Sequence, residues 1–139
     1  MSKVNQRFIE AQKFESKGEF KKAYELYYLN SEENHADSIY MLAQLTFRGT
    51  GVTENKEKSF QLYMKAAKLG HSEAKAMVAG CYLTGNGVKT DYLEAAKWLY
   101  QANEEGSNGA AELIEQMPRV DPKAHQMYLF YVLNKGNIF

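Results

Sequence analysis

The sequence predicts an all-α protein, a short solenoid of about three to four stacked helical hairpins. Three observations carry this reading: a self-match at one fixed offset, helical spacing of apolar residues on both sides of each turn, and a composition that favours helix. Sliding the sequence against itself lays Gly49-Thr50-Gly51-Val52 on Gly85-Asn86-Gly87-Val88, an offset of 36 (85 − 49). The same offset carries Ser59, Leu62, Tyr63, Ala66 and Gly70 onto Ala95, Trp98, Leu99, Ala102 and Gly106. One step back from Ser59, Leu62 and Tyr63 reaches Ala23, Leu26 and Tyr27. Both prolines, Pro118 and Pro122, lie near the C-terminus, and Ala, Leu, Lys, Glu and Gln recur through the rest.

The elements follow in order. The first hairpin, residues 1–35, carries Ala11, Phe14, Gly18, Phe20, Ala23 and Tyr27. The second unit, residues 36–71, places Ile39, Leu42, Ala43 and Thr46 at helical spacing. Its glycines between Arg48 and Val52 then stop that helix in the left-handed C-cap conformation. A second helix begins near Asn55, runs with Phe60, Tyr63, Ala66 and Ala67 on one face, and ends at Gly70. The third unit, residues 72–106, repeats the pair from His71 to Leu83 and from Tyr92 to Glu105, and Asp91-x-x-Glu94 resembles a capping box. Residues 107–139 start a partial fourth unit, Ser107 to Met117, expected to break at Pro118. Asp121 as N-cap and Pro122 at the first helical position then restart a capping helix with Tyr128, Phe130, Tyr131 and Leu133. Leu62 and Trp98, one repeat apart, are expected in the buried seam.

The chain has 139 residues and 45% hydrophobic content, enough for the core of one compact repeat domain. Seventeen basic residues balance seventeen acidic ones, so no global field draws nucleic acid or an anionic membrane. The opening residues include Lys3, Asn5, Arg7 and Glu10, unlike a signal peptide, and no apolar run approaches the roughly 20 residues of a membrane helix. A cytoplasmic location without membrane insertion is the expectation. The single cysteine, Cys81, fits a reducing compartment.

Leu42-Ala43 and Val78-Ala79, then Gly49-x-Gly51-Val52 and Gly85-x-Gly87-Val88, then Tyr63-x-Lys65-Ala66-Ala67 and Ala95-x-x-Trp98, resemble the Sel-one-like repeat (SLR) pattern. That family is a long-turn relative of the tetratricopeptide repeat, and the first hairpin resembles the plain tetratricopeptide pattern more closely. The resemblance implies a right-handed α/α superhelix and says little about function, because its signature residues serve packing and turns. Thr46 stands where the family usually has Tyr, and Asn30 where it usually has Ala.

Catalysis finds little footing. Phosphate-binding glycine loops follow strands, whereas Gly49-x-Gly51 and Gly85-x-Gly87 follow helices and repeat as helix stops. Cys81 is equivalent by the offset to Leu45 and Met117, which places it in the apolar seam. His35, His71 and His125 show no paired metal-ligand spacing with it. Glu32-Glu33 and Glu104-Glu105 read as solvated charge at helix ends, and Lys13, Lys17, Lys21 and Lys22 are offset by Glu10, Glu15, Glu19 and Glu25. The expectation is therefore no enzyme, no cofactor, no metal and no nucleic-acid partner.

What the resemblance implies is a concave wall of first helices that holds another protein or peptide. Carried over residue by residue, the wall comprises Asn5, Phe8 and Gln12, then Asp37, Tyr40, Gln44 and Arg48, then Glu73 and Thr84, with a shallow spot at Ala76 and Gly80. The tail aromatics Tyr128, Phe130, Tyr131 and Phe139, with Ile138, form an alternative surface, able either to cap the core or to bind. The expected role is a non-catalytic adaptor or regulator, monomeric or weakly dimeric. The alternative is a neutralising, immunity-type partner of a toxin or secreted effector; a small-molecule or enzymatic groove ranks below both.

Overall fold

The computed structural model describes the backbone of residues 1–138 and side chains through Lys135; Phe139, and the side chain of Ile138, lie outside the described residues. Among the described residues there are eight α-helices and no strand: α1 Lys3–Ser16, α2 Phe20–Ser31, α3 Ala36–Arg48, α4 Lys56–Lys68, α5 Ser72–Thr84, α6 Tyr92–Glu104, α7 Asn108–Val120 and α8 Pro122–Ile138. They fall into two compact units, Met1–His71 with α1–α4 and a second from Ser72 with α5–α8. None of these helices is long and apolar enough to cross a membrane.

Several helices begin where a short polar side chain accepts a free backbone N–H, whereas α2 starts at Glu19 without such a bond. Ser2 Oγ caps α1 through Asn5 N (3.1 Å), Asn55 Oδ1 caps α4 through Lys58 N (3.0 Å), and Ser107 Oγ caps α7 through Ala110 N (3.1 Å). Asp91 Oδ1 accepts from both Leu93 N and Glu94 N at 3.1 Å. Its own N–H donates to Tyr82 O at 3.0 Å, so only the Asp half of the expected capping box forms. The equivalent bond one repeat earlier runs from Asn55 N to Thr46 O at 3.1 Å. These two bonds close the long turns. Within the first turn, Gly51 is fixed twice over, by φ of +75° and by the backbone of Phe20, whose carbonyl carbon would lie 2.6 Å from an added Cβ.

The first unit packs around Ala11, Ala23, Tyr27, Leu42 and Leu45. The second packs around Ala79, Ala96, Leu99, Ala110, Met117 and Tyr128, among others. Leu45, Cys81 and Met117, equivalent by offset, are all buried as expected. Asn30 and Thr46, the two departures from the family pattern, are buried and satisfied. Asn30 Nδ2 donates to Val4 O (2.9 Å) and Ser38 Oγ (3.0 Å), and Thr46 Oγ1 donates to Leu42 O (2.8 Å).

Two expectations are corrected. The fully buried seam position is Tyr27, Tyr63 and Leu99, while Leu62 and Trp98 are only partly buried against their cores. Both neighbours on each helix are apolar, and the repeat match fixes spacing without fixing which of the two faces inward. Helix α7 also does not break at Pro118 but runs to Val120. The proline sits in its last turn, where the one carbonyl it leaves unpaired is close to the helix end, and Asp121 N closes that end on Met117 O at 2.9 Å.

Candidate functional site

Helix α3 carries the densest set of predicted contact residues. His35 caps its start, its Nδ1 accepting from Ser38 N at 3.3 Å, and Gly49 ends it at φ 71°. Its inner face buries Ser38, Ile39, Leu42, Ala43, Leu45 and Thr46. Spacing of three to four residues then leaves Asp37, Tyr40, Gln44 and Arg48 along the opposite face.

Asp37, Tyr40 and Gln44 of that row are held in place by their own chemistry. Gln44 Nε2 donates to Tyr40 Oη at 2.9 Å, one helical turn apart. The Tyr40 ring stacks on His71 at 4.4 Å between centroids and sits 5.9 Å from Tyr63. His71 Nε2 lies 3.1 Å from Asp37 Oδ1. The His71 side chain is 15% exposed and that of Asp37 is 61% exposed, so an ordered imidazole backs an accessible carboxylate. Arg48 is exposed at the C-terminal end of the row. A partly exposed aromatic, an amide, a carboxylate and a guanidinium on one rigid helix suit recognition of another protein's polar and apolar groups.

The other predicted residues divide. Asn5 and Gln12 are exposed on α1. Phe8 packs against its own unit, with its ring 5.9 Å from Tyr27 and 5.3 Å from His35. Glu73 spends its carboxylate on the start of α7, accepting from Asn108 N at 2.9 Å and Gly109 N at 3.3 Å. Thr84 is exposed; its Oγ1 donates to Gly80 O at 2.8 Å and accepts from Asn86 Nδ2 at 2.9 Å. The shallow spot is narrower than expected. Gly80 faces open space, but Ala76 is 2% exposed because the Gly109 turn of α7 covers it. In the tail, Tyr128 is buried and Tyr131 packs edge-on against Tyr100 at 5.8 Å, whereas Phe130 is 52% exposed.

Sequence reasoning missed two ion pairs. Glu33 pairs with Arg7, and Glu105 pairs with Lys75, whose Nζ lies 2.9 Å from Oε1. Lys75 is 6% exposed and stands one offset after the buried Ile39 (75 − 39 = 36), so the repeat register itself marks it as a buried cation needing a carboxylate. Two of the shifted titrations belong to packing. Burial first, and then its hydrogen bond to Glu15, hold the Tyr27 hydroxyl well above the ordinary tyrosine value. Tyr128 is raised mainly by burial, with Tyr100 and Glu104 adding to it. Among the described residues no group of three His, Cys, Asp or Glu could hold a metal ion.

Helical hairpins repeated every 36 residues, each joined by a turn closed on the preceding helix, define a helical-repeat protein. Residues 36–71 and 72–107 each match the Sel1 repeat, and the chain belongs to that family. Sel1 repeats are generally protein–protein interaction modules, and the fold is typically a non-catalytic scaffold. Chitin synthase regulatory factor 3 of Schizosaccharomyces pombe is 37% identical over 82 residues, which are 58% of this chain and 9% of that protein. A Sel1 repeat protein from Oxalobacter formigenes superposes with a TM-score of 0.73 at 25% identity, covering 94% of this chain and 58% of that one. A protective antigen of uropathogenic Escherichia coli with an SLR fold superposes at 0.78 and 21% identity, over 93% of this chain and 29% of that one. The matched stretches thus span only part of the length of these relatives.

Proposed function

We propose that the chain is a protein-binding module whose contact residues lie on the outward faces of its first helices, with α3 as the principal element. The observation that carries this is the Asp37–Tyr40–Gln44 set, pre-ordered by the Gln44–Tyr40 bond, the His71 stack and the His71–Asp37 pair, with exposed Arg48 continuing the row. Ordering these side chains before binding lowers the entropy lost on association, and Tyr and Arg are the residue types that most often dominate interface energies. Asn5 and Gln12 on α1 of the same unit extend the proposed contact set, and Thr84 on α5 is a separate candidate contact of the second unit.

The test is affinity capture from native lysate with wild type beside the Tyr40→Ala, Gln44→Ala, Arg48→Ala triple variant, with captured proteins identified by mass spectrometry. Loss of one specific partner from a variant of unchanged helicity supports the reading. Equal capture by both proteins removes α3 from it. If that partner is a folded toxin or effector whose activity the chain blocks, the role is neutralisation; if it contributes a short linear segment, the role is an adaptor.

A further inference from the structure

The chain holds two Asn-Gly steps, Asn86-Gly87 and Asn108-Gly109, and the fold treats them differently. Asparagine is a thermolabile residue, and a following glycine exposes it most, because no Cβ shields the glycine N–H from the preceding carboxamide. Attack of that amide on the side chain is intramolecular. Its rate therefore depends on whether the backbone can bring the nitrogen against the carboxamide carbon.

Asn108 is the first residue of α7. Helical backbone fixes it, and the Gly109 amide that would have to attack already donates to Glu73 Oε2 at 3.3 Å. Asn86 lies outside any helix, half-buried in the turn that follows α5. Its own N–H donates to Cys81 O at 3.2 Å, and Gly87 follows at φ 77°. Among the described residues none accepts a hydrogen bond from the Gly87 amide. The nucleophile is thus occupied at one Asn-Gly step and unoccupied at the other.

We propose that Asn86 is a site of spontaneous deamidation and that Asn108 is protected from it. Base removes the Gly87 amide proton, and the nitrogen forms a bond to Asn86 Cγ. The Cγ–Nδ2 bond breaks, and Nδ2 takes up a proton and leaves as ammonia. Water then opens the resulting cyclic imide. Cleavage at Cγ gives aspartate, and cleavage at the main-chain carbonyl gives isoaspartate, with the chain rerouted through Cβ. No oxidant or cofactor enters.

The products change one corner of the second unit. Asn86 Nδ2 donates to Thr84 Oγ1 at 2.9 Å, and a carboxylate cannot make that bond. Conversion also takes the charge balance from 17 basic and 17 acidic groups to 17 and 18, a net charge of −1 (17 − 18). The isoaspartyl form lengthens the main chain inside a turn that Asp91 N ties back to Tyr82 O at 3.0 Å. Deamidation would therefore alter the surroundings of Thr84 while leaving the α3 row as it is.

The experiment ages the folded full chain at neutral and at mildly alkaline pH. Digests are mapped by mass spectrometry with chromatographic separation of the isomers, and charge is followed by isoelectric focusing. The Asn86 fragment is expected to lose its amide, faster at the higher pH, and to yield both aspartyl and isoaspartyl products, while the Asn108 fragment keeps its amide. Asn86→Gln, whose longer side chain closes a larger ring more slowly, is expected to remove the acidic species. In urea, where turn and helix are both lost, the two fragments are expected to convert at similar rates. An Asn108 fragment that converts as fast as the Asn86 fragment in the folded chain overturns the proposal. So does an Asn86 fragment that keeps its amide when folded yet converts in urea, or an acidic species that persists in Asn86→Gln.

Discussion

Glu73 and Gly109 stand one repeat apart, and the carboxylate of the first lies within hydrogen-bonding distance, 3.3 Å, of the amide of the second. A Cβ at Gly109 would sit 2.8 Å from Glu73 Oε2, so the bond and the glycine require each other. The substitutions are therefore coupled. Glu73→Ala removes the side-chain acceptor for Asn108 N and Gly109 N and is expected to cost about 0.5–2 kcal/mol, the range for a lost helix cap. Gly109→Ala alone displaces the carboxylate and is expected to destabilise. In the Glu73→Ala background the same Gly109→Ala is expected to be neutral or stabilising, through helix propensity. Urea denaturation of the four proteins checks the sign of the coupling.

The seam predicts an asymmetry between adjacent residues. Leu99→Ala empties a fully buried site and is expected to cost roughly 2–5 kcal/mol, whereas Leu62→Ala, only partly buried, is expected to cost clearly less. Thermal and denaturant unfolding of the two variants measure the difference, and equal losses would contradict the observed register.

Gly51→Ala is expected to be worse than Gly85→Ala, although both glycines lie in equivalent turns, Gly51 third and Gly85 first in its Gly-x-Gly, with φ of +75° and +74°. Both incur the left-handed penalty of about 1–2 kcal/mol. Gly51 also meets the Phe20 backbone at 2.6 Å, which cannot give way cheaply, whereas the nearest atom to Gly85 is a side-chain oxygen, Thr90 Oγ1, at 2.9 Å. Comparison of melting temperatures orders them.

Alkaline stability should report on Tyr27. Burial and the bond to Glu15 raise its folded pKa above the unfolded value of about 10. The folded state then holds the phenolic proton more tightly than the unfolded state does. Its contribution is fully present below about pH 10 and drains away as the pH rises beyond that, toward the folded value. Tyr27→Phe is expected to be less stable near neutrality, by about 1 kcal/mol for the lost hydrogen bond, and to lose stability less steeply above about pH 10. Parallel slopes for the two proteins in denaturant titrations between neutral and alkaline pH would contradict this assignment.

The repeat made the architecture legible because local signals and packing agree. Asn55, Asp91 and Ser107 each combine a cap-forming side chain with the right place in the 36-residue period. The inward choice between Leu62 and Tyr63, or between Trp98 and Leu99, was not legible, since both candidates are apolar and only the helix rotation separates them. The contact row on α3 followed from helical spacing. The demands on Glu73 and Phe8 did not, because a carboxylate reaching an amide 36 residues later and a ring meeting His35 depend on tertiary placement. Pro118 misled for a local reason: a proline ends a helix when it sits in the middle, and here it occupies the final turn.

The most direct test of the account is a calorimetric titration of the captured partner into wild type and into the Tyr40→Ala, Gln44→Ala, Arg48→Ala variant, with helicity and melting matched beforehand. An affinity loss of at least about 30-fold is expected, the size that follows when a dominant contact worth about 2 kcal/mol is removed. An unchanged affinity for a folded triple variant would contradict the claim that α3 is the binding face.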